Sequence, residues 1–184
     1  MAADDREVRL FVSVEVPEGL REKIATLADE LPGDAITPVR PDSMHLTLRF
    51  IGEVPQGEVG GIERLLKEVS FGKFVVPLRG VGVFPSESYV RVVWAGCESP
   101  ELGDLAKKVI GALRGIGKEE ARGFSAHLTI ARVKKKIDAG GFLQKHKGEE
   151  FGSFEVDAFY LMRSELKPGQ PPEYTVVAAF PSSG

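Results

Sequence analysis

Two tetrapeptides in this chain have the composition and spacing to do chemistry. His45-Leu46-Thr47-Leu48 recurs as His127-Leu128-Thr129-Ile130 about half a chain later, and the pair uses two of the three histidines present. Side chains alternate across a strand, so each motif puts an imidazole and a hydroxyl on one face, about 7 Å apart at their Cα atoms. The leucines and isoleucine between and after them point the other way, toward a core. Imidazole accepts or donates a proton near neutral pH. A threonine hydroxyl donates to a non-bridging phosphate oxygen and steadies charge that develops there. Two such units facing each other would place a base on one side of a phosphorus, an acid on the other, and two hydroxyl donors between. An in-line displacement at phosphorus needs those groups and no metal ion.

Either motif alone is a weak signal, because a strand histidine beside a β-branched residue is usually incidental. The shared context at half-chain spacing makes the pair specific. Rival uses of the same residues lack their partners. Catalytic zinc takes three protein ligands, commonly with histidines four apart on a helix; no His-x-x-x-His occurs, and Cys97 is the only cysteine. No Gly-x-Ser-x-Gly elbow is present for a serine nucleophile, and no glycine-rich phosphate loop precedes a Lys-Ser/Thr pair. The expectation is therefore a site without metal or cofactor. His146 sits in the charged run Lys145-His146-Lys147 and reads as a solvated surface residue. Alternation from His45 puts Arg49 on the motif face and Phe50 on the core face. From His127, strict alternation puts Arg132 on the Leu128 face, so it reaches a cleft only if the strand bulges or ends near Ala131.

These side chains need strands to carry them, and the pattern supplies several. Residues 9–16 alternate as a half-buried strand, and a helix is predicted from Glu18 to about Glu30. Short strands follow at 37–40 and 45–51, then a turn-rich stretch and a helix through Ile62, Leu65, Leu66 and Val69. Residues 74–80 and 89–95 read as strands joined by Gly82-Val83-Phe84-Pro85-Ser86. A helix over 100–113 precedes the strand 126–133, the basic turn Lys134-Lys135-Lys136 and a shorter helix at 139–146. Strands at 154–162 and 174–180 close the chain. The irregular alternation with short connections predicts an α+β fold. The half-chain recurrence of the motif suggests one domain over residues 1–184, built of two pseudo-symmetric lobes. Two mainly antiparallel sheets would then flank a central cleft, with helices outside.

At 184 residues, with 42% hydrophobic and 28% charged residues, the chain can bury a substantial core. Its net charge of −3 gives no global attraction to nucleic acid, so any such binding must rest on local positive charge. The Lys134–Lys136 turn is one place for it. A single cysteine suits a reducing cytoplasm, no run approaches the about 20 apolar residues of a membrane span, and the start at residues 1–5 is acidic, unlike a signal peptide. The expectation is a cytoplasmic protein with no membrane partner, and nothing demands more than a monomer.

The order of these motifs along the chain resembles the 2H phosphoesterases, named for two His-x-Thr/Ser motifs. Within them it is similar to the RNA 2′,3′-cyclic phosphodiesterase branch, also called 2′–5′ RNA ligase-like or LigT/ThpR. The likeness covers nearly the whole chain. It takes in Arg9-Leu10-Phe11-Val12, the run from Pro41 through His45-Leu46-Thr47-Leu48-Arg49-Phe50-Ile51-Gly52, Gly82-Val83-Phe84-Pro85, His127-Leu128-Thr129-Ile130-Ala131-Arg132, and Ser164-x-Leu166 with Tyr174. The residue before the second histidine departs from the family's usual proline and is Ala126. The resemblance implies a bilobal α+β fold and opening of a terminal 2′,3′-cyclic phosphate on RNA to a 2′-phosphate. It implies His45 and His127 as general base and general acid, without assigning which is which, and Thr47 and Thr129 holding the phosphate. It further implies Phe11 near the terminal base and Arg132 reaching the phosphate. A reversible 2′–5′ ligase joining tRNA halves, or a non-catalytic RNA- or nucleotide-binding module, are the alternative uses of the same fold.

Overall fold

A computed structural model describes residues 6–118 and 123–183; the acidic start at residues 1–5 lies outside them. The architecture is α+β, as the alternation of patterns predicts. In chain order the elements are β1 (Glu7–Val14), α1 (Glu18–Ala25), β2 (Ile36–Pro38), β3 (Leu46–Pro55), α2 (Val59–Lys67), β4 (Phe74–Arg79), β5 (Val81–Ser86) and β6 (Tyr89–Gly96). There follow α3 (Pro100–Ala112), β7 (His127–Val133), α4 (Gly140–Lys145), β8 (Glu150–Val156), β9 (Ala158–Glu165) and β10 (Glu173–Pro181). The strands form one four-stranded sheet in the order β10-β9-β1-β3, another in the order β2-β7-β6-β5, and a two-stranded ribbon of β4 and β8. Their pairings are antiparallel. One apolar cluster, from Val8 to Phe180, runs through both large sheets.

Three boundaries differ from the sequence reading, each for a local reason. The helix predicted to run to Glu30 ends at Ala25 and tightens into a 3-10 turn over Thr26–Glu30, where Thr26 Oγ1 donates back to the Lys23 carbonyl. The connection between the strands at 74–80 and 89–95 is itself a strand, β5, hairpinned to β6. Residues 154–162 are two strands, not one: β8 leaves for the ribbon, and after Asp157 β9 enters the first large sheet.

The motif strands are locked from behind. Ser99 caps α3, its hydroxyl accepting from Leu102 N at 3.3 Å, and Pro100 fills a first-turn position that needs no donor. The buried face of that helix, Leu102, Leu105, Ala106 and Val109, packs with β3. Arg49, placed on the motif face by simple alternation, points the other way and is only 4% exposed. Its guanidinium donates to the carbonyl of Ile110, at 2.9 Å, which the end of α3 leaves without an intrahelical donor, and to that of Ile116, just beyond the helix, at 2.7 Å. Beyond α3 the chain clips to the edge of β3 through Lys118 N on Ile51 O at 2.8 Å. Gly117, at φ 64°, permits this: a Cβ there would lie 2.1 Å from the same Ile51 oxygen.

The reversal of Arg49 comes from a β-bulge. In the β1–β3 pairing Val12 opposes Arg49 and Ser13 opposes Thr47, so Leu48 is an extra residue. It turns the strand by half a period, burying Leu48 and Arg49 in succession and bringing Phe50 out to 48% exposure. β7 carries the same device at the same place. Val93 opposes Ala131 and Trp94 opposes Thr129, which leaves Ile130 extra; Ile130 and Ala131 are buried in succession and Arg132 is exposed.

His146 also departs from its sequence reading. It is 3% exposed, with the rings of Phe142 and Phe151 against it. Nε2 lies 2.9 Å from Glu30 Oε2, and Nδ1 bonds Glu149. Carboxylates accept only, so both ring nitrogens donate and the ring is held charged. Burial works against that charge, but the hydrogen bonds to Glu30 and Glu149 outweigh it and raise the His146 pKa. A raised folded-state pKa gives stability that is complete below the unfolded value of about 6.5 and is lost as pH rises through the folded value. Replacing His146 with Gln is expected to remove about 2 kcal/mol, or roughly 4–8 °C of Tm, under mildly acidic conditions. Thermal melts should show that gap closing as the pH is raised; a gap that widened with pH would contradict the charged clamp.

Candidate active site

The two motifs meet in a cleft of about 520 Å³, lined by His45 and Thr47 from one large sheet and His127, Thr129 and Arg132 from the other. β3 and β7 touch along it. Thr37–Arg40 with Ser43 and Met44 form a further wall, and the β9–β10 connection contributes Gly169, Gln170, Pro171 and Pro172 before Tyr174. The bulge at Ile130 is what turns Arg132 into this space. Among the described residues Arg40 and Arg132 are the charged ones lining the cleft, and no aspartate or glutamate lines it. Arg40 is paired with Asp42 at 2.5 Å, whereas among the described residues no carboxylate is bonded to Arg132. A chain of net charge −3 thus presents a locally cationic cleft, suited to an anion. The Lys134–Lys136 turn does not line it, and Lys135 is paired with Asp34 at 3.0 Å on the surface.

Each histidine is oriented the same way. His127 Nδ1 donates to the Ser125 carbonyl at 2.8 Å, leaving Nε2 for the cleft. His45 makes the equivalent bond to the Ser43 carbonyl, also two residues upstream. Each ring also rests between two aromatics. Phe11 stacks on His45 at 4.7 Å with 27° between planes, and the Tyr174 ring meets His45 edge-on at 5.0 Å. Phe84 meets His127 edge-on at 5.0 Å, with Trp94 tilted at 6.4 Å. Trp94 lies across Gly82, where a Cβ would sit 2.2 Å from Cζ2 of the indole, so the glycine admits the wall of the second histidine.

Phe11 is 2% exposed and stacks against His45, forming a floor beneath the imidazole. Tyr174, Phe84 and Trp94 form the rest of the supporting set. Their only signal in the sequence was that the segments containing Phe84 and Tyr174 fell within the family likeness; Trp94 had none.

The surroundings of His45 set its charge state. Burial pushes the His45 pKa down to about 4, and the nearby Arg132 charge lowers it further against the opposing bond to the Ser43 carbonyl. His45 is consequently a neutral imidazole at neutral pH, ready to accept a proton. Burial likewise pushes the Cys97 thiol up to about 12, leaving it un-ionised and unreactive. Among the described residues no group of three or more His, Cys, Asp or Glu is placed to hold a metal ion, and no helix is long and apolar enough to cross a membrane.

A family model described as LigT like Phosphoesterase matches residues 14–94. The chain is 40% identical over 167 residues to an RNA 2′,3′-cyclic phosphodiesterase of Archaeoglobus fulgidus, covering 89% of this chain and 95% of that one. It is 37% identical over 176 residues to the protein of the same name from Methanothermobacter thermautotrophicus, covering 90% and 94%. Among solved structures it is similar to E. coli LigT complexed with 3′-AMP, with a TM-score of 0.82 and 27% identity over 97% of this chain and all of that one.

The lowered pKa of His45 is directly measurable. In histidine-labelled protein, NMR should show the His45 ring titrating at about 4. Arg132→Gln should move that midpoint upward. A His45 midpoint near the unperturbed value of about 6.5 would show the ring to be solvated and the buried environment wrong.

Proposed function

This chain belongs to the LigT-like phosphoesterases, and on that footing we propose that it is an RNA 2′,3′-cyclic phosphodiesterase, opening a terminal cyclic phosphate to a 2′-phosphate with His45 and His127 as the catalytic pair. The observation that carries the reading is that both His-Thr motifs and Arg132 line one cleft with no acidic side chain of the described residues in it. The cyclic phosphate lies between the motifs, its non-bridging oxygens accepting from the Thr47 and Thr129 hydroxyls. Arg132 offsets the charge that builds on those oxygens in the transition state. Water attacks in line: its oxygen bonds to phosphorus as the P–O3′ bond breaks, leaving the phosphate on O2′ and a free 3′-hydroxyl.

The roles of the two histidines follow from their surroundings. His45, neutral because burial lowers its pKa to about 4, takes the proton from the attacking water. His127, its Nε2 free toward the cleft, gives a proton to the departing O3′. Phe11, Tyr174, Phe84 and Trp94 hold the rings in place and act as positioning residues. Because one chain supplies both motifs, the site needs no second copy, and the protein works as a monomeric unit of two lobes. A lone, buried, un-ionised Cys97 suits the reducing cytoplasm, where broken tRNAs would be among the RNA ends it meets.

Incubating the protein in excess EDTA with an oligoribonucleotide ending in 2′,3′-cyclic phosphate should yield the 2′-phosphate. His45→Ala and His127→Ala should each lower kcat by roughly 10²–10⁴-fold. Activity that vanished with chelator, or survived either substitution, would overturn the metal-free two-histidine mechanism. Sulfur in place of O3′ leaves without protonation, so this substrate should rescue His127→Ala and leave His45→Ala inactive; the opposite pattern would exchange the two roles. As pH falls through about 4, His45 becomes protonated and kcat/KM should drop.

A further inference from the structure

Arg40 is the second cation of the cleft, and the proposed reaction gives it no role. It follows β2, whose backbone is fixed along β7: Thr37 opposes Arg132, and Val39 N donates to the Ile130 carbonyl at 2.9 Å. That pairing makes residues 37–40 a wall of the cleft, with Arg40 at its end. The Arg40 side chain is 65% exposed, so it stands at the rim and not on the floor. Its bond is to Asp42 at 2.5 Å, a carboxylate that is itself 61% exposed and lies outside the cleft lining. An ion pair between two such solvated groups contributes little, so an anion at the cleft mouth displaces it at small cost. Arg132 is placed differently. Its charge acts on the buried His45 ring, which puts it beside the reacting centre.

We propose that Arg40 binds the phosphodiester that joins the terminal nucleoside to the rest of an RNA chain. This rests on the reading that the substrate is an RNA end, and it names the part of that RNA recognised beyond the cyclic phosphate. A cyclic phosphate carries one negative charge, and Arg132 with the two motif threonines answers it. The next anion along the chain lies on the 5′ side of the same ribose, one nucleoside away from the reacting phosphorus. A cation at the rim of the same cleft suits that group, and a guanidinium offers parallel N–H donors to its non-bridging oxygens. Phosphate contacts position a chain without reading its bases. The contact would therefore favour RNA ends of any sequence over free cyclic mononucleotides, which lack the linkage.

The test compares three substrates: a 2′,3′-cyclic mononucleotide, a dinucleotide ending in 2′,3′-cyclic phosphate, and the same dinucleotide with a neutral methylphosphonate linkage. The wild type should turn over the charged dinucleotide with kcat/KM roughly five- to tenfold above the neutral one, the difference lying in KM and shrinking as salt is raised. Arg40→Gln should bring the charged dinucleotide down to the neutral level without changing the ratio of neutral dinucleotide to mononucleotide, and Arg40→Lys should keep part of the preference. Asp42→Asn, which removes the competing carboxylate, should widen it. An Arg40→Gln variant equally impaired on all three substrates would make Arg40 a ligand of the reacting phosphate or a prop for the wall, and would overturn the proposal. So would a charged dinucleotide rate untouched by Arg40→Gln, or a wild type indifferent to the charge of the linkage while hydrolysing the mononucleotide. A wild type inactive on all three would overturn the phosphodiesterase reading itself.

Discussion

One extra residue after each motif threonine governs what the cleft contains. A strand presents alternate side chains to opposite faces, so an inserted residue exchanges the faces of everything that follows. At Leu48 the exchange sends the Arg49 guanidinium backward to the carbonyls at the end of α3 and brings Phe50 forward. At Ile130 it keeps Ala131 in the core and brings Arg132 into the cleft. Without the bulges the cleft would have an arginine from the first motif strand and none from the second. The histidines and threonines, lying before the insertions, would be unaffected. The proposed catalytic groups are therefore set by simple alternation, and their electrostatic neighbour by its interruption.

The same four-residue motif has been given two environments. Both imidazoles are tethered to a carbonyl two residues upstream and braced by a pair of aromatics, so both offer one ring nitrogen to the cleft. What surrounds the His45 ring sets its charge. Phe11 and Tyr174 close around His45 until its charged form is disfavoured, and Arg132, reaching over from the other sheet, adds to that penalty. Symmetric chemistry at phosphorus requires an acceptor and a donor at the same moment, and two histidines in equal surroundings would share their protons indifferently. Arg132 comes from only one of the two sheets, and its charge adds to the burial that keeps His45 neutral.

Stability is invested where it holds these strands in register. Arg49 satisfies two carbonyls beyond the reach of the helix's own donors, Gly117 lets the chain turn tightly onto the edge of β3, and the capped α3 covers the back of the motif strand. On the far side the charged His146 ties α4 to the 3-10 turn through Glu30 and to the entry of β8 through Glu149. The chain as a whole is acidic and its cleft is cationic. Acidic surface elsewhere favours solubility, while the field at the cleft draws in an anion.

The sequence by itself determined the groups proposed for the reaction and the frame that holds them. Two His-x-Thr motifs at half-chain spacing, strand alternation and turn chemistry sufficed for His45, Thr47, His127 and Thr129 on common faces and for an α+β architecture, because those features depend on neighbours one or two residues away. The exchange of faces at Leu48 and Ile130 was not legible, since a bulge is a property of two strands in register and either strand alone looks regular. His146 misled for a similar reason: its flanking lysines are local, but Glu30 and Phe151 come to it from distant segments. The burial that makes Phe11 a floor, the reach of Arg132 toward His45 and the exposure of Phe50 are likewise decided by what the other sheet or strand contributes. Identity of motif gave the two histidines equal claims to either role; the burial that keeps His45 neutral is a product of the whole fold.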